Sequence, residues 1–139
     1  MTKIEIALRA NCTDYKNPTV NLSINDDEHY NGEITGIKHF AFEFDPCDNN
    51  ILKIKHYNKT NQDTIVDTQG NIVSDLSIEL VSIHIDDIKI IDTVLYSMPF
   101  FVQWPDNILE DYRNKNQEPP EYIDNNLYFG FNGVYQFSF

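Results

Sequence analysis

The sequence predicts an all-β protein, an antiparallel β-sandwich of jelly-roll or immunoglobulin-like connectivity, on three observations. Apolar and polar residues alternate with period two in many short runs; turn dipeptides such as Asp45-Pro46 and Asn132-Gly133 separate those runs; and the composition, rich in Ile, Asn and Asp and poor in Ala, works against helix. With 139 residues the chain is long enough to bury a core without metal or disulfide support. Residues 1–139 read as one sandwich domain, with 97–121 a long irregular insertion before a closing C-terminal hairpin.

Taken in order, Ile4, Ile6 and Leu8 alternate with Glu5, Ala7 and Arg9, a first strand whose polar face suits an edge or outer position. After a turn-rich loop, Val20, Leu22 and Ile24 form a second strand, which leads through an acidic tip to a tight turn at Asn31-Gly32. Phe40, Phe42 and Phe44 share a face of the next strand, an aromatic stripe that reads as core, and Asp45-Pro46 ends it. Ile51 to Tyr57 is a strand with Leu52 and Ile54 on one side and Lys53, Lys55 and Tyr57 on the other. Thr64–Val66 and Asn71–Val73 flank a turn over Asp67–Gly70 as a small hairpin.

Ser77–Ile91 is the longest β-branched apolar run and the expected centre of the fold. Its alternation slips by one residue at Val81–Ser82, the mark of a β-bulge. At Asp86–Asp87 either two short strands meet or one long strand bends. Thr93–Tyr96 reads as a further strand, Ile108–Gln117 as a turn or two of helix, and Leu127 to Phe139 as a β-hairpin around Asn132-Gly133.

A formal net charge of −12 argues against a nucleic-acid partner or an anionic membrane surface, both of which need clustered Lys and Arg. No apolar run approaches a membrane span and no signal-peptide h-region opens the chain. Cys12 and Cys47 do not make a disulfide framework and read as buried free thiols. A phosphate-binding Gly-rich loop, a nucleophile elbow, a CxxC pair and an HExxH motif are all missing, and His29, His39, His56 and His84 read as exposed or hydrogen-bonded strand residues.

The surplus of carboxylates leaves a divalent-cation site open, because calcium takes six to eight oxygen ligands from adaptable loops. Asn25–Glu28, Asp45–Asn50 and Asp63–Asp75 are candidate loops, and Asp63, Asp67 and Asp75 are the candidate metal ligands. Trp104, beside Phe100, Phe101 and Pro105, is a sugar-stacking platform, a protein anchor or a core-closing residue.

The segments KIEIALRA, VNLSIN (entered from Pro18), FAFEF, LKIKHYN and Asp75-Leu76-Ser77-Ile78 running to IHIDDIKI occur in an order that resembles the small calcium-dependent, xylan-binding carbohydrate-binding modules. Asn58 matches that pattern, while Lys59 stands where the family carries an acid. The resemblance implies a non-catalytic jelly-roll sandwich in which a loop-bound calcium coordinates sugar hydroxyls; Tyr57 and Asn58 in the matched segment, and Trp104 on its residue type, are the candidate ligand-binding residues. The acidic, Ala-poor sequence that closes with LYFGFNGVYQFSF also resembles small accessory proteins of tailed-phage virions, which implies a location in the virion after synthesis in a host cytoplasm.

Three functions follow as expectations. The first is a non-catalytic glycan-binding virion component whose cofactor is Ca2+. The second is a purely structural head-decoration or tail protein that meets other virion subunits or copies of itself. The third is a small hydrolase or lyase working through carboxylates.

Overall fold

Alternating apolar residues place one face of each strand inside, and the computed structural model, which describes residues 1–139, folds them as thirteen strands, two α-helices and one 3-10 turn at Asn61–Asp63. In chain order these are β1 (Thr2–Asn11), β2 (Thr19–Ile24), β3 (Asp27–Glu33), β4 (Ile37–Phe44), β5 (Ile51–His56), β6 (Ile65–Val66), β7 (Ile72–Ser74), β8 (Ser77–Ile85) and β9 (Ile88–Lys89). They continue with α1 (Asp92–Ser97), β10 (Phe100–Val102), α2 (Asp106–Asn114), β11 (Tyr122–Ile123), β12 (Tyr128–Phe129) and β13 (Gly133–Ser138).

Two antiparallel sheets face each other, as the alternation predicted. One runs β12-β8-β1-β4, with β9 folded onto β8; the other runs β11-β10-β13-β5-β2-β3. Between them lies a core of 20 buried residues, with Ile4, Ile6, Leu8, Ile78, Leu80 and Phe129 from the first sheet against Leu22, Leu52, Ile54, Tyr135 and Phe137 from the second. The short pair β6-β7 stands apart from both sheets.

The slip at Val81 is a bulge: Ala7 pairs with Ser82 but Leu8 with Leu80, so Val81 has no partner. This restores Leu80 and Ile83 to the interior. The acidic corner is a hairpin turn, since Asp86 and Asp87 have φ of 47° and 66° and join β8 to β9.

Several expectations give way. β1 is a central strand between β8 and β4, not an edge strand: a polar face such as that of Glu5 and Arg9 needs only the outer side of the sheet, and says nothing about how many neighbours pair the strand. The first hairpin turns at Asn25-Asp26, φ 51° and 68°, and Asn31-Gly32 lies within β3, where Leu22 pairs with Tyr30. Thr93–Tyr96 belongs to α1: local β propensity loses to the burial of Leu95 and to the Tyr135 hydroxyl, which donates to the Leu95 carbonyl at 2.7 Å. Both cysteines are free and exposed, not buried.

The closing segment is not a hairpin. β12 pairs with β8 in the first sheet and β13 with β5 and β10 in the second, so the corner at Asn132-Gly133 carries the chain from sheet to sheet. Aromatic packing explains it. Phe129 stacks on Phe100 (centroids 4.8 Å) and on Tyr135 (5.2 Å) across the sandwich, whereas a hairpin turning at Asn132-Gly133 would pair Gly130 with Tyr135 and turn Phe129 and Tyr135 to opposite faces. Within 97–121, β10 joins the second sheet and Asp106–Asn114 forms the helix α2, as the helical reading of Ile108–Gln117 anticipated.

Candidate functional site

The short elements that leave the sandwich build a concavity beside it. A cleft of about 820 Å³ opens between the segment Lys59–Asp75, which includes β6 and β7, and the segment Gln103–Ile108, with the corner Asn126–Asn132 closing it. Trp104, Phe131 and Tyr128 supply aromatic surface, and Asn61, Gln103, Asn107, Asn126 and Asn132 supply carboxamides.

Trp104 is half-buried. Its Nε1 donates to the Pro120 carbonyl at 2.9 Å, and its ring lies 5.3 Å from Phe131 and 6.1 Å from Tyr112. The indole N–H is therefore spent on holding the Pro119-Pro120 segment, and what the cleft meets is ring surface.

Lys59 is fixed at both ends. The Asn132 carboxamide accepts from the Lys59 N–H and donates to the Lys59 carbonyl, each at 2.8 Å. The ammonium lies 2.6 Å from Asp75 Oδ1, bonds the Gly130 carbonyl, and stands 5.9 Å from the centre of the Phe131 ring. Asp75 Oδ1 also accepts from the Thr64 hydroxyl at 2.8 Å. Both charged side chains are nearly buried, so this pair is more than a screened surface contact.

Of the residues singled out from sequence, the cleft gathers Trp104 and Asp75. Asn58 works behind it as a staple: its Oδ1 accepts from Thr19 N and its Nδ2 donates to the Asn17 carbonyl, both at 2.9 Å. Tyr57 lines a separate depression of about 340 Å³ with Asn21, Asn31 and Lys55, and its hydroxyl donates to Asn31 Oδ1 at 2.6 Å.

Asp63 accepts from Lys16 at 2.8 Å and from Thr60 N at 2.7 Å. Burial pushes its carboxyl up, but the hydrogen bonds from Lys16 and Thr60 outweigh that and leave it below the usual range. Asp67 accepts from the Asn71 and Gln69 backbone N–H groups within its own exposed turn, and those bonds, Asn71 first, lower its pKa. The three aspartates do not converge, and nowhere do three His, Cys, Asp or Glu side chains form a cation-binding group. The Asp45–Asn50 loop is closed by the Asn50 carboxamide, which bonds Cys47 N and O.

His56 departs from its expectation as an exposed or hydrogen-bonded residue. It is fully buried between β13 and β2, and neither ring nitrogen makes a hydrogen bond. Burial first, then the nearby Lys59 charge, lowers its pKa to about 4.

Sequence reasoning noted Lys59 only as a departure from a pattern and passed over Asn126 and Asn132. The usable signal was the density of Asn within NKTNQD and around the aromatic closing segment.

No protein-family model matches the chain, and no curated protein matches it. Two solved structures do. One is vCBM60 in complex with galactobiose, with 11% identity and a TM-score of 0.58, covering 97% of this chain and 96% of that one. The other is a selenomethionine form of vCBM60, from work on circular permutation between two families of calcium-dependent carbohydrate-binding modules. It has 10% identity and a TM-score of 0.60, covering 99% and 90%. The chain thus has the β-sandwich fold of a carbohydrate-binding module. No helix is long and apolar enough to cross a membrane.

Proposed function

We propose that the cleft binds a glycan and carries out no reaction on it. The observation that carries this reading is the pairing of aromatic ring surface, from Trp104, Phe131 and Tyr128, with a set of carboxamides in one cleft of about 820 Å³. Rings accept the C–H faces of a sugar, and carboxamides both donate to and accept from its hydroxyls. The likeness to a module solved with galactobiose supports the same reading. Asp75 and Asp106 are the only carboxylates bordering the cleft, and Asp75 is occupied by Lys59 and Thr64, which leaves no free pair for acid–base work.

The test is retention on an array of immobilised galactans and xylans, with soluble galactobiose as competitor. Replacing Trp104 by Ala should lower the affinity about tenfold or more, and replacing Asn126 by Ala should weaken it while the circular dichroism of both variants stays that of the parent. Failure of the parent chain to bind any glycan would sink the reading.

A second reading, contact with other protein subunits as in a virion accessory protein, is favoured by β6-β7. Ile65, Val66, Ile72 and Val73 are all exposed there, whereas in the apolar run Met98–Trp104 the Phe100 ring is fully buried and Met98 packs on the core. Sedimentation across a dilution series distinguishes a persistent oligomer from a monomer.

A further inference from the structure

An ammonium group has three N–H donors and no acceptor. In Lys59 the Gly130 carbonyl accepts one of them and Asp75 Oδ1 lies 2.6 Å from the ammonium as an ion pair, while the side chain, 12% exposed, borders the cleft. One donor is thus spent on the protein, and the ammonium keeps N–H groups at the border of the cleft. Nothing about this cation is loose. Asn132 pins the Lys59 backbone on both sides, Thr64 orients Asp75, and the Phe131 ring lies beside the charge at 5.9 Å.

The same geometry bears on calcium, on which the modules of the matching fold depend. A calcium ion needs six to eight oxygens. Of the two carboxylates that border the cleft, Asp75 faces an ammonium, which leaves Asp106 alone, and Asp63 outside the cleft faces the Lys16 ammonium at 2.8 Å. To gather Asp75 as a second carboxylate beside Asp106, a divalent cation would have to expel Lys59 from a nearly buried position and take its place. The donor set does not fit calcium; it fits the lysine already there.

We propose that the Lys59 ammonium is the fixed cation of this cleft, that it donates an N–H to a sugar oxygen, and that glycan binding by this chain needs no calcium. The ligand is a neutral sugar. The charged side chains bordering the cleft are Lys59 against Asp75 and Asp106, a net of −1, on a chain of net charge −12, so a uronic acid would enter against repulsion. The proposal rests on the glycan reading of the cleft.

The experiment has two parts. Thermal unfolding of the parent chain is followed in EDTA and in calcium on the order of 1 mM, the weak end of protein sites. Retention on neutral galactan and xylan and on polygalacturonate is then measured in the same two buffers, for the parent and for Lys59→Met and Lys59→Arg. The expected result is one melting temperature in both buffers and equal retention on a neutral polysaccharide in both. Polygalacturonate should not be preferred, and Lys59→Met should lose affinity about tenfold, with Lys59→Arg recovering part of it.

A calcium-dependent rise in melting temperature, retention only in calcium, or full affinity in folded Lys59→Met would each overturn the proposal while leaving the glycan reading intact. If Lys59→Met does not fold, the calcium comparison on the parent chain still decides. Absence of retention on every polysaccharide in both buffers would instead remove the glycan reading, and this proposal with it.

Discussion

His56 shows how one buried side chain sets the acid limit of the molecule. With both ring nitrogens unpaired and the Lys59 charge near, it remains neutral in the folded chain down to about pH 4, whereas the unfolded chain protonates it near 6.5. Its contribution is complete above pH 6.5 and is lost as the pH falls through that window, because only the unfolded state gains the proton. The loss amounts to about 3 kcal/mol by pH 4. Asp63 acts in a lower range: its depressed pKa contributes stability above the unfolded value of 3.8 that is lost on further acidification. Melting temperature measured from pH 7 to 4 should fall in the parent and fall less in His56→Leu; parallel curves would assign the slope to other groups. None of this was readable from sequence. The period of two put His56 in line with Leu52 and Ile54, but a histidine at such a position gives no sign of whether its nitrogens find partners. Nor could carboxylate density separate Asp63 from its neighbours, since its lysine partner lies 47 residues away.

At the scale of elements, what could be read was whatever side-chain alternation alone determines. The bulge at Val81 was legible because a one-residue slip changes which face is apolar, and the β6-β7 hairpin because its turn residues are local. Turns that depend on pairing were not. Asn25-Asp26 and Asn31-Gly32 are both good turn dipeptides, and the choice between them lies in the ladder that β2 makes with β3. The corner at Asn132-Gly133 was misread for a similar reason. A hairpin and a sheet-to-sheet crossing use the same glycine, and only the packing of Phe129 between Phe100 and Tyr135 selects the crossing. That corner is close-packed. A Cβ on Gly133 would run into the Phe101 carbonyl and come within 2.8 Å of the Phe100 ring. Gly133→Ala should therefore cost about 1–3 kcal/mol by chemical denaturation. A neutral result would mean that β10 can move away from β13 without penalty.

For the whole molecule, the sandwich was the most legible feature, because two faced sheets need only a repeated alternation of adequate length, which 10–11% identity with solved modules evidently preserves. The cleft was the least legible. Its walls come from four stretches separated in sequence, around Lys59, Asp75, Trp104 and Phe131, and no local pattern announces that they meet. Charge is also a property of the whole. At −12 the surface repels itself, so raising the salt concentration from low to about 0.15 M, where the Debye length is about 8 Å, should raise the melting temperature. A fall would show that exposed pairs such as Arg9–Glu79 outweigh the repulsion.

One consequence follows from the place of Trp104. It is the chain's sole tryptophan, its N–H is tied to Pro120, and its ring forms part of the cleft wall. The protein thereby carries its own optical gauge. Selective excitation of that indole samples the cleft and no other part of the surface, so the colour and intensity of its emission register whatever fills the space beside it, without any attached dye.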